Sequence, residues 1–240
     1  MNPNNYKLVG HLVKIYRYPV KSMAPETLKA VDISWFGLSG DRRWAFIRND
    51  VIKSDFPWLT IRDVNNMNHF KPYFINKTDP DKSDTMVKTP TGKIFDITNP
   101  ILANELYPKG ARIIKQARGV FDTFPLSLIT TQTVESLAKS LKSDITPERF
   151  RPNFLVKTLK NEPYPEDKWV GKTLLIGNMR MRIDKRDGRC AVITIDPITS
   201  EKNSEVLKQV YKNREGCLGI YGSTVTPGKV SIYDEVYIEY

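Results

Sequence analysis

Apolar residues in this chain come in short runs, and turn-forming residues break each run before it can grow long. Lys7–Val20 reads as a strand, with Val9, His11, Val13 and Ile15 on one face and Pro19 at its end. Leu28–Trp35 and Arg43–Arg48 read as two more strands, parted by the turn Gly37-Leu38-Ser39-Gly40-Asp41. Asn153–Thr158 and Thr173–Asp184 are also extended in pattern. Pro227-Gly228 then sets a turn before Lys229–Tyr233 and Glu235–Tyr240, which alternate around Asp234. Asn76–Thr91 is polar and carries Pro80, Pro90 and Gly92, the pattern of an exposed hairpin region. Such punctuation favours many short strands over long helices.

Three helices are expected among them. Asn99-Pro100 starts one, with Asn at the cap and Pro at the first position, and Pro108-Lys109-Gly110 stops it. Val134, Leu137, Ala138 and Leu141 recur at helical spacing behind a Thr131 cap. Ser204–Tyr211 turns Leu207, Val210 and Tyr211 inward. The fold class is therefore mainly β with a few helices (α+β), barrel-like in architecture. A boundary near Arg118–Phe121 predicts a β-rich N-terminal domain over 1–118 and a second domain over 119–240.

The bulk numbers narrow the function classes. The 240 residues are 40% hydrophobic and 27% charged, a globular composition. No apolar run is long enough to span a bilayer, so no transmembrane segment is expected. Met1–Asn5 lacks the basic start and apolar stretch of a secretory signal, which predicts a cytoplasmic protein. The net charge of +10 asks for an anionic partner. That charge is dispersed rather than gathered on one helix or run, so no nucleic acid is expected. Two cysteines are too few for an iron–sulfur cluster, and the two histidines, His11 and His69, lack partners at zinc spacing. No nucleophile-elbow or metalloprotease motif appears, so a hydrolase finds no support.

Chemistry concentrates elsewhere. Cys190 sits in Asp187-Gly188-Arg189-Cys190, ahead of a β-branched run that Asp196-Pro197 closes. A guanidinium beside a thiol favours the thiolate, a soft ligand suited to a transition metal. Its ordinary alternative is a small buried hydrophobe. Three other segments pair cations with small polar groups or turns: Tyr18-Pro19-Val20-Lys21-Ser22, Asp41-Arg42-Arg43-Trp44 and Arg149-Phe150-Arg151-Pro152-Asn153. Each could grip an anionic oxygen.

Taken in order, Tyr-Pro-Val-Lys-Ser, Gly-Asp-Arg-Arg-Trp, Arg-Phe-Arg-Pro-Asn and Arg-Cys-x-x-Thr-x-Asp-Pro resemble the MOSC family. The likeness is to its two-part members, a β-rich N-terminal domain followed by the MOSC domain, and to the amidoxime-reducing molybdoenzymes in particular. It runs from Leu8 to Tyr240. The resemblance implies a molybdenum cofactor (Mo-molybdopterin), with Cys190 as metal ligand and catalytic residue. It implies that Lys21, Ser22, Arg42, Arg151 and Asn153 contact the pterin and its phosphate, that Arg189 borders the metal, and that Asp122, Thr123 and Tyr221 complete the cofactor contacts. The implied activity is removal of oxygen from small N-hydroxylated substrates (amidoximes, hydroxylamines, N-hydroxylated bases), with a cofactor carrier or sulfur-transfer protein as the alternative. Electrons would come from a separate donor protein of the ferredoxin, cytochrome b5 or flavoprotein type. One departure stands out: the family's Arg-x-x-Pro-x-Leu element reads Ser54-Asp55-Phe56-Pro57-Trp58-Leu59, without the Arg.

Overall fold

The computed structural model describes residues 5–51 and 53–240. Residues 1–4, which carry most of the segment read above for a leader, lie outside the described residues, as does position 52. The first part of the chain forms β1 (Tyr6–Arg17), β2 (Glu26–Leu28), β3 (Ala30–Ser34), β4 (Gly37–Leu38) and β5 (Trp44–Arg48). It continues through β6 (Lys71–Phe74), β7 (Thr85–Lys88), β8 (Ile94–Asp96), α1 (Pro100–Leu106) and β9 (Ala111–Lys115). The second part holds β10 (Leu126–Thr130), α2 (Thr131–Leu141), β11 (Phe154–Thr158), β12 (Thr173–Ile176) and β13 (Met179–Gly188). It ends with α3 (Ser204–Arg214), β14 (Cys217–Thr226), β15 (Gly228–Ser231) and β16 (Glu235–Glu239). The expected class, mainly strands with three helices, is the one observed.

The largest sheet runs β11-β10-β14-β13-β12-β16-β1-β2, and β1 also pairs back to β11, which closes its first seven strands into a barrel. Its closing strand comes from the start of the chain, and β15 also pairs with β3 across the two parts. Leu12, Ile15, Leu128, Phe154, Met179, Met181, Ile183 and Ile220 fill the barrel. β13 shows why: Met179, Met181 and Ile183 alternate with arginines, so one face is apolar and the other wet. A second core, of Val20, Phe46, Leu59, Met67 and Leu102, holds the first part together. A third lies under α2 and α3 and includes Tyr16, Tyr18, Phe150 and Leu218.

Some sequence readings shift. In β1 the pairing slips between Leu12 and Lys14, a β-bulge that breaks strict alternation. Leu12 and Ile15 therefore both face the barrel, while Val13 packs on the third core. Thr173–Asp184 resolves into a hairpin, turned by Gly177 at φ +57°. The α2 cap is Thr130, not Thr131; its hydroxyl accepts from the Thr133 N–H. In α3, Val206 is buried and Tyr211 is 58% exposed, because the inward stripe starts one residue earlier than expected. The 217–226 strand carries too many glycines to signal itself. Asn99 caps α1 as expected. Among the described residues no helix is long and apolar enough to cross a membrane.

Candidate functional site

A cavity of about 510 Å³ opens where segments from both parts of the chain meet. Lys21 and Ser22 enter it from the turn after β1, and Arg42 from the turn before β5. Asp122 and Thr123 come from the approach to β10, Arg151 from the turn before β11, Arg189 and Cys190 from the end of β13, and Tyr221 from β14. Nine of the ten residues singled out in the sequence thus line one space. Asn153 is the tenth and has no place on the wall.

Asn153 lies beneath it, 1% exposed. Its amide oxygen accepts from the Ser127 N–H at 3.1 Å, and its Nδ2 donates to Asp41 Oδ2 at 3.1 Å and to the Tyr16 carbonyl at 3.3 Å. Asp41 is fully buried and also accepts from the Tyr18 N–H at 2.7 Å and from Arg42. This polar knot fixes Arg42 from below. The Tyr18 ring carries both Arg42 and Arg151, with guanidinium carbons 4.7 Å and 4.3 Å from its centroid. Cation–π attraction offsets part of the repulsion between two cations held so close. The remainder shows in Arg151, which burial, helped by the like charge of Arg42, pulls down to about 10. Arg151 Nη2 is buried and has no hydrogen-bond partner.

Lys21 is 5% exposed, and its ammonium donates to Asp122 at 2.5 Å and to the Val120 carbonyl at 3.3 Å. Burial lowers its affinity for a proton, and the charge of Asp122 works against that. Ser22, Arg42 and Arg151 all adopt left-handed backbone, at φ 68°, 49° and 53°. Each such residue costs on the order of 1 kcal/mol or more, and such strain gathers where a fold must aim groups at a ligand. Arg43, the other half of the Arg-Arg pair, turns away and is held by Asp81 at 2.8 Å.

The thiol segment is clamped on both sides. Ile193 enters the third core and Ile195 the second. Arg149 donates to the Ile193 carbonyl at 3.1 Å and pairs with Asp196. Ahead of these anchors Cys190 is exposed, its backbone extended before a short 3-10 turn over Ala191–Thr194. Arg189 is locked by the Leu218 and Phe150 carbonyls at 2.7 and 2.8 Å and by Asp187 at 2.7 Å. Gly219, at φ +76°, lets β14 pass close; a Cβ there would sit 3.2 Å from Arg189 Nη2. Among the described residues no three His, Cys, Asp or Glu side chains cluster as a metal site. The cavity thus offers one thiol, Cys190, amid cations.

The structure adds residues the motifs did not single out. Phe56, Thr60 and Arg62 line the same cavity, and the Arg62 guanidinium lies 5.1 Å from the Phe56 ring centroid. A cation therefore reaches this wall from position 62, in the loop whose expected Arg is absent. Phe121, Phe124, Val192 and Ile193 supply its apolar lining. Asp187 also lines it, and was visible only as a neighbour of Cys190. Phe56 falls inside the Ser54–Leu59 element noted above but not at one of its matched positions, and no periodic or motif signal marks Arg62.

Residues 115–237 match the MOSC domain and residues 9–98 the MOSC N-terminal beta barrel domain. The chain belongs to the MOSC family. Among relatives of this MOSC protein, a molybdenum cofactor sulfurase of Caenorhabditis briggsae is 26% identical over 91% of the chain, which spans 34% of that relative's length. A mitochondrial amidoxime reducing component 2 of Homo sapiens is 25% identical over 95% of the chain and 83% of its own length. The chain spans about a third of the length of the nematode sulfurases it matches. The YUAD protein from Bacillus subtilis shares the fold, with a TM-score of 0.51 at 13% identity over 98% of this chain and 99% of that one. At family level these names point to association with molybdenum cofactor.

Proposed function

We propose that this MOSC protein is a molybdenum-cofactor-dependent reductase that removes oxygen from N-hydroxylated compounds: amidoximes, hydroxylamines and N-hydroxylated bases. The observation that carries this reading is one cavity with an exposed thiol on its wall and a cluster of largely buried cations beside it. The donor set fits a metal with an anionic organic tail. Cys190 supplies the soft sulfur. Lys21, Ser22, Arg42 and Arg151 form the anion grip, and the unpartnered Arg151 Nη2 is a donor that a phosphate oxygen would satisfy. Thr123 and Tyr221 border the remainder, with Asn153 acting from below through Asp41. Bound there, the cofactor supplies a two-electron redox centre. The residues around it hold it, orient it and, through the phenylalanines and Ile193, keep water out. At about 510 Å³ the cavity has the size of a ligand site. In this reading the electrons come from a donor protein of ferredoxin, cytochrome b5 or flavoprotein type.

A second reading has its own support: the sulfurase likeness covers 91% of the chain. In that case the same cavity carries or modifies the cofactor without reducing a substrate. Protein from a molybdate-fed host separates the two. The reductase reading expects bound molybdenum and pterin, and turnover of benzamidoxime with an artificial reductant. Bound cofactor without turnover favours the carrier. Cys190→Ser should lose metal and turnover together, and full activity in that variant would remove the thiol from the site.

A further inference from the structure

We infer that Asp187 is the acid that hands a proton to the oxygen leaving an N-hydroxylated substrate; this rests on the reductase reading above. Asp187 stands at the end of β13, three residues before Cys190, and lines the same cavity. It is 1% exposed. Its Oδ2 is held by Arg189 at 2.7 Å; its Oδ1 is buried, makes no hydrogen bond of ordinary length, and has the Tyr221 phenol as its neighbour. A buried carboxyl oxygen left unpaired is uncommon and asks for an explanation. A hydroxyl or water brought by a ligand answers it.

Elimination points the same way. The cavity is lined by two carboxyls, Asp187 and Asp122, and Asp122 is engaged by Lys21. The Tyr221 phenol is pushed well above its ordinary value by burial and by Asp187, so it keeps its proton. The groups facing Asp187 are Arg189 on its own strand end, Tyr221 on β14, and Arg42 and Asp122 across the cavity. Burial pushes the Asp187 carboxyl up to about 6, against the opposing charge of Arg189. An acid of that strength is poised to donate near neutrality.

The balance for a hydroxylamine is R–NH–OH + 2 e⁻ + 2 H⁺ → R–NH₂ + H₂O. The nitrogen–oxygen bond breaks and the oxygen leaves as water. The two electrons originate in the donor protein. One proton passes from Asp187 to the departing oxygen and the other comes from solvent. The Asp187 carboxylate that remains is stabilised by Arg189 until water reprotonates it.

The test compares loaded wild type, Asp187→Asn and Asp187→Glu from pH 5 to 8. Molybdenum and pterin contents should match in all three. Wild-type kcat should fall about tenfold per pH unit above the Asp187 titration; Asp187→Asn should be roughly 100-fold slower at pH 5 and flat across the range. Asp187→Glu should recover part of the rate and the sloping limb. Infrared spectroscopy on cofactor-free and loaded wild type should show a buried protonated carboxyl that titrates in this range and is missing in Asp187→Asn. A turning-over enzyme whose Asn variant keeps rate and pH limb overturns the role of Asp187 alone, as does a wild type lacking that carboxyl signal. If Asp187→Asn does not load, the infrared arm and Asp187→Glu still decide. A loaded wild type without turnover at any pH overturns the reductase reading itself.

Discussion

Replacing Asn153 by Ala tests whether the site rests on the polar knot beneath it. The carboxamide is buried and makes contacts to Ser127, Tyr16 and Asp41 at 3.1 to 3.3 Å. Truncation leaves the Ser127 N–H without its side-chain acceptor, at about 1 kcal/mol, and deprives the buried Asp41 carboxylate of one donor, at about 2 kcal/mol. The total is about 3 kcal/mol. For a chain of this length each kcal/mol moves the melting point by about 2–4 °C, so a fall of about 6–12 °C is expected. Calorimetry and urea denaturation of the cofactor-free protein measure it. Asn153→Asp sharpens the test, since it keeps an acceptor toward Ser127 but turns an oxygen toward Asp41; it should cost more than Ala at pH 7. Because Asp41 positions Arg42, both variants should also weaken inorganic phosphate binding. A melting point within about 2 °C of wild type for Asn153→Ala would refute the reasoning, by showing that Asp41 is satisfied without the amide.

Three further outcomes are expected. Gly219→Ala forces a Cβ into left-handed backbone 2.8 Å from the Leu128 carbonyl, and should cost at least ~2 kcal/mol in urea unfolding; an unchanged midpoint would contradict the packing around Arg189. Thr130→Ala removes the α2 cap and a 2.7 Å bond to the buried Glu166, for a loss of about 2–3 kcal/mol by the same assay, with a loss below ~0.5 kcal/mol counting against it. Asp187 sets a pH-dependent cost. Its folded value, about 6, lies above the ordinary 3.8, so well below pH 3.8 the proton is bound in both states and no cost arises. Between 3.8 and 6 the unfolded state gives up its proton while the folded state keeps it, so stability falls, and above 6 the cost levels off. Relative to Asp187→Asn, wild type should lose about 2 kcal/mol of stability between pH 4 and 7, and a pH-independent difference would exclude it.

The residues that line the cavity were legible because short motifs, and the resemblance those motifs carry, single them out: a cation after β1, a cation before β5, an Arg before β11, a thiol after β13. Their convergence was not legible, since it depends on β1 pairing with β11 across more than a hundred residues, and no local pattern encodes that register. Nor could spacing tell a wall residue from a support. Asn153 and Arg151 sit two apart in one motif, yet the left-handed turn at Arg151 sends one to the cavity and the other underneath. Phe56 was read only as part of a departing element and Arg62 escaped notice, because their loop has no periodicity. The bulge in β1 and the early stripe of α3 are one-residue effects that periodicity cannot resolve.

The placement of the cations has a thermodynamic consequence. Lys21 and Arg42 come from the first part of the chain, Arg151 and Arg189 from the second, and Lys21, Arg42 and Arg151 are close enough to perturb one another. With no anion present, the fold bears their desolvation and mutual repulsion at the seam between its two parts. A polyanionic ligand relieves both, so its binding energy reports on the junction as well as on the pocket. Inorganic pyrophosphate at 100 times its Kd should then stabilise the cofactor-free protein by about 2.7 kcal/mol, equivalent to a rise of about 5–11 °C. The shift should shrink as salt screens the partly exposed charges. Arg42→Ala and Arg151→Ala should each cut it by more than half. A pyrophosphate shift that neither substitution reduces would place the anion elsewhere on this basic surface and break the link between the seam and the site.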